Sequence, residues 1–200
     1  MRTIIKFLFD RIFAFIGIIL ALPLFIIIPV IIFSGSKGPV LFRQKRVGKD
    51  GDLFTLIKFR TMVSNDGKNS VTAKSDPRIT REGSFLRRWK LDELPELFNV
   101  LKGDMSFVGP RPDVPGYADR LEGEDRKILQ LRPGVTGPAT LKYLDEEEIL
   151  SRVPDPQHYN DEVIFPDKVR INLKYLEKFS FAGDLRIIFH TIIRRKIDEY

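Results

Sequence analysis

Two adjacent carboxylates, Asp92 and Glu93, stand just before Pro95 and an apolar run in the string LDELPELFNVLKG. If Asp92 caps a helix starting there, both acids sit beside free backbone N–H groups, a setting that also favours bound anions. The alternative is that they are ordinary acids at a helix start. Cations that suit phosphate occur nearby. In LFTLIKFRTM (53–62) a period of two puts Phe54, Leu56, Lys58 and Arg60 on one strand face, so two cations lie side by side. The alternative is a solvated outer face. Gly109-Pro110-Arg111-Pro112 holds an arginine between two prolines, which fixes the backbone and reduces the entropy lost when the guanidinium clamps an anion. Arg132-Pro133-Gly134 repeats this loosely, and either could be a plain proline loop with a solvated arginine. His158 and His190 lie far apart, with no metal-ligand or nucleophile–base spacing around them, and read as structural.

The elements that must carry these groups follow from periodicity and turn chemistry. VLFRQKRV (40–47) and 53–62 are strand-like and joined by Lys49-Asp50-Gly51, which predicts a β-hairpin. Residues 63–84 are polar and poorly periodic and read as a surface loop, with a turn at Asp76-Pro77-Arg78. From Phe85 to Leu101 the pattern is helical, with Gly103 as its C-terminal cap and Pro95 demanding a start or kink nearby. The acids at 145–148 suit a helix N-terminus. Phe181, Leu185, Ile188, Phe189, Ile192 and Ile193 recur at helical spacing, with Arg186, Arg194, Arg195 and Lys196 on the polar side. That helix either lies on a membrane surface or is an ordinary core helix with a basic tail.

Two hundred residues allow one compact domain, or a smaller one with a membrane segment. The absence of cysteine excludes disulfides and thiolate metal cages, and suits a cytoplasmic setting. A net charge of +6 implies anionic partners, as does the pI near 9.5. Residues 12–33 carry no charge and are long enough for the roughly 20 residues of a spanning helix. A cleaved signal peptide fits poorly. Basic residues flank the run on both sides (Arg2, Lys6, Arg11; Lys37, Arg43, Lys45, Arg46), and Pro23 and Pro29 interrupt it. Basic flanks stay cytoplasmic and proline bends a helix, so a re-entrant hairpin is expected. The alternative is a tilted, kinked single-pass helix.

The string LDELPELFNVLKGDMSFVGPRP (91–112) closely resembles the core motif of the bacterial sugar transferases, the monotopic phosphoglycosyl transferases. FRQKRVGKDG (42–51), IKFRTM (57–62), DPRIT (76–80) and LRPGVTG (131–137) resemble family motifs in the expected order. The resemblance implies an α+β monotopic membrane protein. An N-terminal re-entrant, proline-kinked helix (1–36) would be followed by a small, mostly helical cytoplasmic catalytic domain (37–200) with a β-hairpin and amphipathic interfacial helices. Its place is the cytoplasmic face of the bacterial inner membrane, among inner membrane lipids. A chain of this size resembles the minimal catalytic unit, and association as a homodimer is compatible with it. Nucleic acid is not an expected partner.

For chemistry, the resemblance makes Asp92 and Glu93 catalytic. Asp92 would be the nucleophile that takes a sugar phosphate from a nucleoside diphosphate sugar, by default a UDP-sugar, and passes it to polyprenol (undecaprenyl) phosphate with release of UMP. Magnesium (Mg2+) is the expected cofactor, held by Asp92 together with substrate phosphates. Glu93 either orients the metal or manages a proton. Lys58, Arg87 and Arg111 match phosphate or active-site ligands, Arg132 matches more weakly, Arg46 and Arg60 more weakly still, and Arg88 is not among them. After LRPGVTG the chain departs from the family pattern, with PATLKYLDEEEIL where a glutamine-containing run ending in Gly-Arg is usual, so donor preference is expected to differ. Two rivals stand beside this reading. One is a membrane-anchored basic adaptor without activity, and the other a transferase of bare sugar that releases the nucleoside diphosphate.

Overall fold

A computed structural model describes residues 2–63 and 76–196. Helix α1 (Arg2–Leu20) and helix α2 (Leu22–Gly35) meet at Ala21 with a bend of 61°. Pro23 falls in the first turn of α2, where its missing N–H costs nothing, and Pro29 sits inside α2 without ending it. The break thus precedes Pro23. No single described helix is long and apolar enough to cross a membrane, but the bent pair reaches that length and apolarity together. The beginning of α1 is not apolar all round. Lys6 Nζ donates to Asp184 Oδ2 at 2.6 Å and Phe107 N to Asp10 Oδ1 at 3.4 Å, while Ala14 is fully buried with Val100 and Met105. These contacts dock α1 on the residues that follow.

Strands β1 (Leu41–Val47) and β2 (Leu53–Phe59) form the expected antiparallel hairpin, turning through Lys49–Gly51 with Asp50 at φ 60°. Phe54 and Leu56 are buried on one face of β2 and Phe59 on the other. Of the predicted loop over 63–84, residues 64–75 lie outside the described residues. Asp76-Pro77-Arg78 makes its turn, closed by Arg78 donating to Asp76. The loop ends earlier than expected. Helix α3 (Arg81–Arg88) starts behind Thr80, whose hydroxyl accepts from Gly83 N at 2.9 Å.

The helical stretch expected over 85–101 is broken near Pro95, as that proline demands, into two pieces. Lys90 adopts a left-handed conformation (φ 57°), Leu91–Glu93 form a 3-10 turn, and helix α4 (Glu96–Lys102) begins after Pro95. Pro95 has no N–H to give back to the preceding turn, so the helix cannot run through it. Asp92 is therefore not the N-cap of α4; Pro95 holds that position. Gly103 ends α4 as predicted, at φ 99°.

Strand β3 (Ser106–Val108) pairs in parallel with β4 (Gly134–Thr136), bringing the Arg111 loop against the Arg132 loop. The two segments approach too closely for side chains. A Cβ on Gly109 would lie 2.1 Å from the Arg132 carbonyl oxygen, one on Gly134 2.2 Å from Gly109 N, and one on Gly137 2.2 Å from the Gly109 carbonyl oxygen. Helices α5 (Pro138–Lys142), α6 (Glu146–Ser151), α7 (Pro156–Tyr159), α8 (Phe165–Glu177) and α9 (Phe181–Ile192) complete the α+β fold. In α9, Ile187 is fully buried while Leu185, Phe189, Ile192 and Ile193 stay exposed, so the helix is anchored on one side and apolar on the other.

Candidate active site

The left-handed turn at Lys90 throws Asp92 and Glu93 back against β2. There Lys58, inward-facing on its strand, splits its ammonium between two carboxylates: Glu93 Oε1 at 2.9 Å and Glu96 Oε1 at 3.0 Å. Arg111 approaches the same Glu93 oxygen at 3.1 Å, and Lys90 lies 3.8 Å from it. The Arg111 loop is braced from below. Arg46 Nη1 donates to the Pro112 carbonyl at 3.0 Å and Val47 N to the Asp113 carbonyl at 2.9 Å. Burial, and then the neighbouring Arg111, lower the Arg46 guanidinium to about 10.

Charge is divided unevenly among the acids. Burial alone would raise Glu93, but Lys58, Arg111 and Lys90 outweigh it and hold this carboxyl well below the usual range. Glu96 goes the other way, raised by burial and by the charge on Glu93 despite its bond to Lys58. Asp92 is 7% exposed. Burial, reinforced by Glu93, raises its pKa, and Lys58, Lys90 and Arg87 offset only part of that. Its Oδ1 is buried with no hydrogen-bond partner. An unpartnered oxygen on a carboxylate made more basic by its surroundings is chemically suited to attack an electrophile or to bind a cation.

Four of the candidate residues therefore gather around Asp92: Glu93 and Lys58 in direct contact with each other, Arg111 on Glu93, and Arg87 within electrostatic reach of Asp92 itself. Arg87 is bound by Glu147 of α6 and lies 3.9 Å from Met62 Sδ. Arg132 is not brought to this cluster. Its Nε donates to the Gly103 carbonyl at 3.1 Å and its guanidinium lies 5.2 Å from the Phe7 ring, a position that supports α1 and the end of α4. Arg60 shares the inward face of β2 with Lys58 but closes the C-terminus of α2, donating to the Ser36 carbonyl at 2.7 Å.

Four acids escaped the sequence reading as site residues. Glu96 lies three residues beyond Glu93, the spacing that aligns side chains on a helical turn, and this was the signal available for it. Glu146 and Glu147 do open α6 as the acid run suggested, yet they also reach outward: Glu146 binds Lys168 at 2.7 Å and Glu147 binds Arg87. Asp113 is pushed up to about 6 by burial, against the pull of Lys168, Arg46 and Arg111. Among the described residues no group of three His, Cys, Asp or Glu side chains forms a metal cage. A magnesium ion needs none where substrate phosphates supply most of its ligands, and the free oxygen of Asp92 fits the one protein ligand required.

Comparison with known proteins gives this arrangement its context. The UDP-glucose:undecaprenyl-phosphate glucose-1-phosphate transferase of Xanthomonas campestris pv. campestris is 37% identical over 96% of this chain and 39% of its own length. A putative undecaprenyl-phosphate N-acetylgalactosaminyl 1-phosphate transferase of Bacillus subtilis is 45% identical over 60% of this chain and 68% of its own. The exopolysaccharide production protein PSS of Rhizobium leguminosarum bv. phaseoli is 35% identical over 96% of both chains. The chain thus spans about two fifths of the length of the Xanthomonas relative and nearly all of the Rhizobium one. The family model described as bacterial sugar transferase matches residues 1–196, and the chain belongs to that family.

Proposed function

We infer that the protein is a phosphoglycosyl transferase that moves a sugar 1-phosphate from a UDP-sugar to undecaprenyl phosphate through a covalent intermediate on Asp92. The observation that carries this reading is the buried, unpartnered Asp92 Oδ1 beside a cluster of four cations. A carboxylate oxygen attacks the β-phosphorus of the donor. One P–O bond forms to Asp92, the bond from that phosphorus to the bridging oxygen breaks, and UMP leaves with the bonding pair. The phosphate oxygen of the polyprenol then attacks the same phosphorus, forming the diphosphate link and returning Asp92 as a carboxylate. No electrons change hands and each step is a displacement at phosphorus.

The surroundings serve these steps in separate ways. Raised basicity makes Asp92 the better nucleophile of the adjacent pair, while Glu93, fully engaged by Lys58 and Arg111, acts as the post that orders the cations. Arg87 and Arg111 present planar donors suited to phosphate oxygens. Magnesium held by Asp92 and the donor phosphates would supply charge neutralisation that lets a carboxylate approach a dianion. The outward apolar face of α1 and α2 supports a re-entrant seat in the cytoplasmic leaflet, where the polyprenol phosphate headgroup lies.

The test is nucleotide release from a panel of UDP-sugars with undecaprenyl phosphate and magnesium, comparing the wild type with Asp92→Asn. UMP release that depends on Asp92 supports the reading. Release of UDP, or UMP release undiminished in the variant, overturns it.

A further inference from the structure

Each cation around Asp92 already binds an internal carboxylate: Lys58 two of them, Arg111 and Lys90 the shared Glu93, Arg87 the distant Glu147. A diphosphate can enter only by exchanging partners. Burial decides which pair gives way. The Glu93 and Glu96 side chains are 11% and 5% exposed and fixed by the packing of α4 on β2, whereas Glu147 is 46% exposed on the short helix α6.

We propose that Glu147 is an internal stand-in for a donor phosphate, occupying the Arg87 guanidinium until the nucleoside diphosphate group displaces it, and thereby setting donor affinity. A carboxylate offers a guanidinium the same pair of oxygens that a phosphate does, so the two compete for one geometry. The tether is double: Glu146, the preceding residue, is bound by Lys168 at 2.7 Å and acts electrostatically on Arg111 and Asp113. Two consecutive acids thus hold α6 against two parts of one site. This inference rests on the sugar-phosphate transfer reading and names a residue that tunes it.

The experiment measures UDP binding by calorimetry to the full chain in nanodiscs, for the wild type, Glu147→Gln, Arg87→Gln, the double variant, and Glu148→Gln as a control for net charge. Removing a half-exposed competitor of this kind is expected to tighten UDP binding about threefold, with Glu148→Gln unchanged. Arg87→Gln weakens binding, and in its background Glu147→Gln has no further effect. Unchanged or weaker binding by Glu147→Gln overturns the proposal, as does tightening that persists without Arg87. Should Arg87→Gln bind UDP like the wild type, Arg87 is no phosphate ligand and the proposal falls, while Asp92-dependent UMP release would leave the transferase reading standing.

Discussion

Along α1 and α2 large apolar side chains face outward, with Leu20, Ile26 and Phe33 each at least 70% exposed, while Asp92, Glu96 and Asn99 are shut inside at 7%, 3% and 3%. One region is apolar where water-soluble domains are polar, and the other polar where they are apolar. The difference lies in what compensates each. An apolar face of this extent is stable only when another apolar phase covers it. The buried acids are stabilised by cations on the same few elements, Lys58 above all, and removing one partner strands the rest. The outer region depends on its surroundings and the inner one on stoichiometry of charge.

Breaking the inner region at its unpaired member gives the largest effect. Asp92→Asn is expected to lower UMP release by about three orders of magnitude or more. Folding should not suffer. A carboxyl whose folded pKa is raised contributes its stability below its unfolded value and loses it as pH rises, so at neutral pH the charged Asp92 costs stability and asparagine relieves it. A thermal melt of the variant should show a Tm equal to or above the wild type.

Breaking the pairing itself acts oppositely. Lys58→Met leaves Glu93 and Glu96 without their common cation, at a cost of about 3 kcal/mol. The same melt should report a fall of about 6–12 °C. In the outer region, Ile26→Lys puts a charge on a side chain that is 70% exposed in the protein alone. Its melt in detergent should match the wild type, while flotation with liposomes should weaken about tenfold or more, given about 2.5–3.5 kcal/mol for a cation at mid-bilayer. Equal flotation would show that this face does not enter lipid.

Two smaller effects sharpen the contrast. On the proposed reading Asp92 must be ionised to attack, so the acid limb of kcat/KM should lie above the ordinary aspartate value of 3.8, and activity should fall as pH drops through the raised pKa. Glu93→Gln removes a like charge and should move that limb down in whatever activity remains. Arg132→Ala should leave kcat/KM within about twofold and lower stability by about 1 kcal/mol, the worth of its bond to the Gly103 carbonyl. A large loss of kcat with unchanged Tm would return Arg132 to the site.

Local chemistry made much of this legible in the sequence. The Lys49–Gly51 turn, the Gly103 cap and the helix start at the acids of α6 each depend on neighbours a few residues away. What the sequence hid depends on distant partners. The shared face of Lys58 and Arg60 was readable, but not that one would meet Glu93 and the other the end of α2. Glu147 lies 60 residues from Arg87, and nothing in an acid run announces a guanidinium that far away. The break at Lys90 was half visible, since Pro95 forbids a continuous helix without saying that a non-glycine residue would take a left-handed turn before it.

The glycine crossing between the Arg111 and Arg132 loops has a consequence for how such chains diversify. With Gly109 pressed against Gly134 and Gly137, the backbone that carries Arg111 is fixed before the chain reaches Pro138. Whatever follows Gly137 then reaches the reacting groups through the contacts it makes itself, Glu147 on Arg87 and Glu146 on Lys168, and not through that backbone. On the proposed reading, grafting residues 138–150 from a relative with another donor, with the buried Ala139, Leu141 and Leu150 kept, should carry its sugar preference while the Arg111 backbone stays in place.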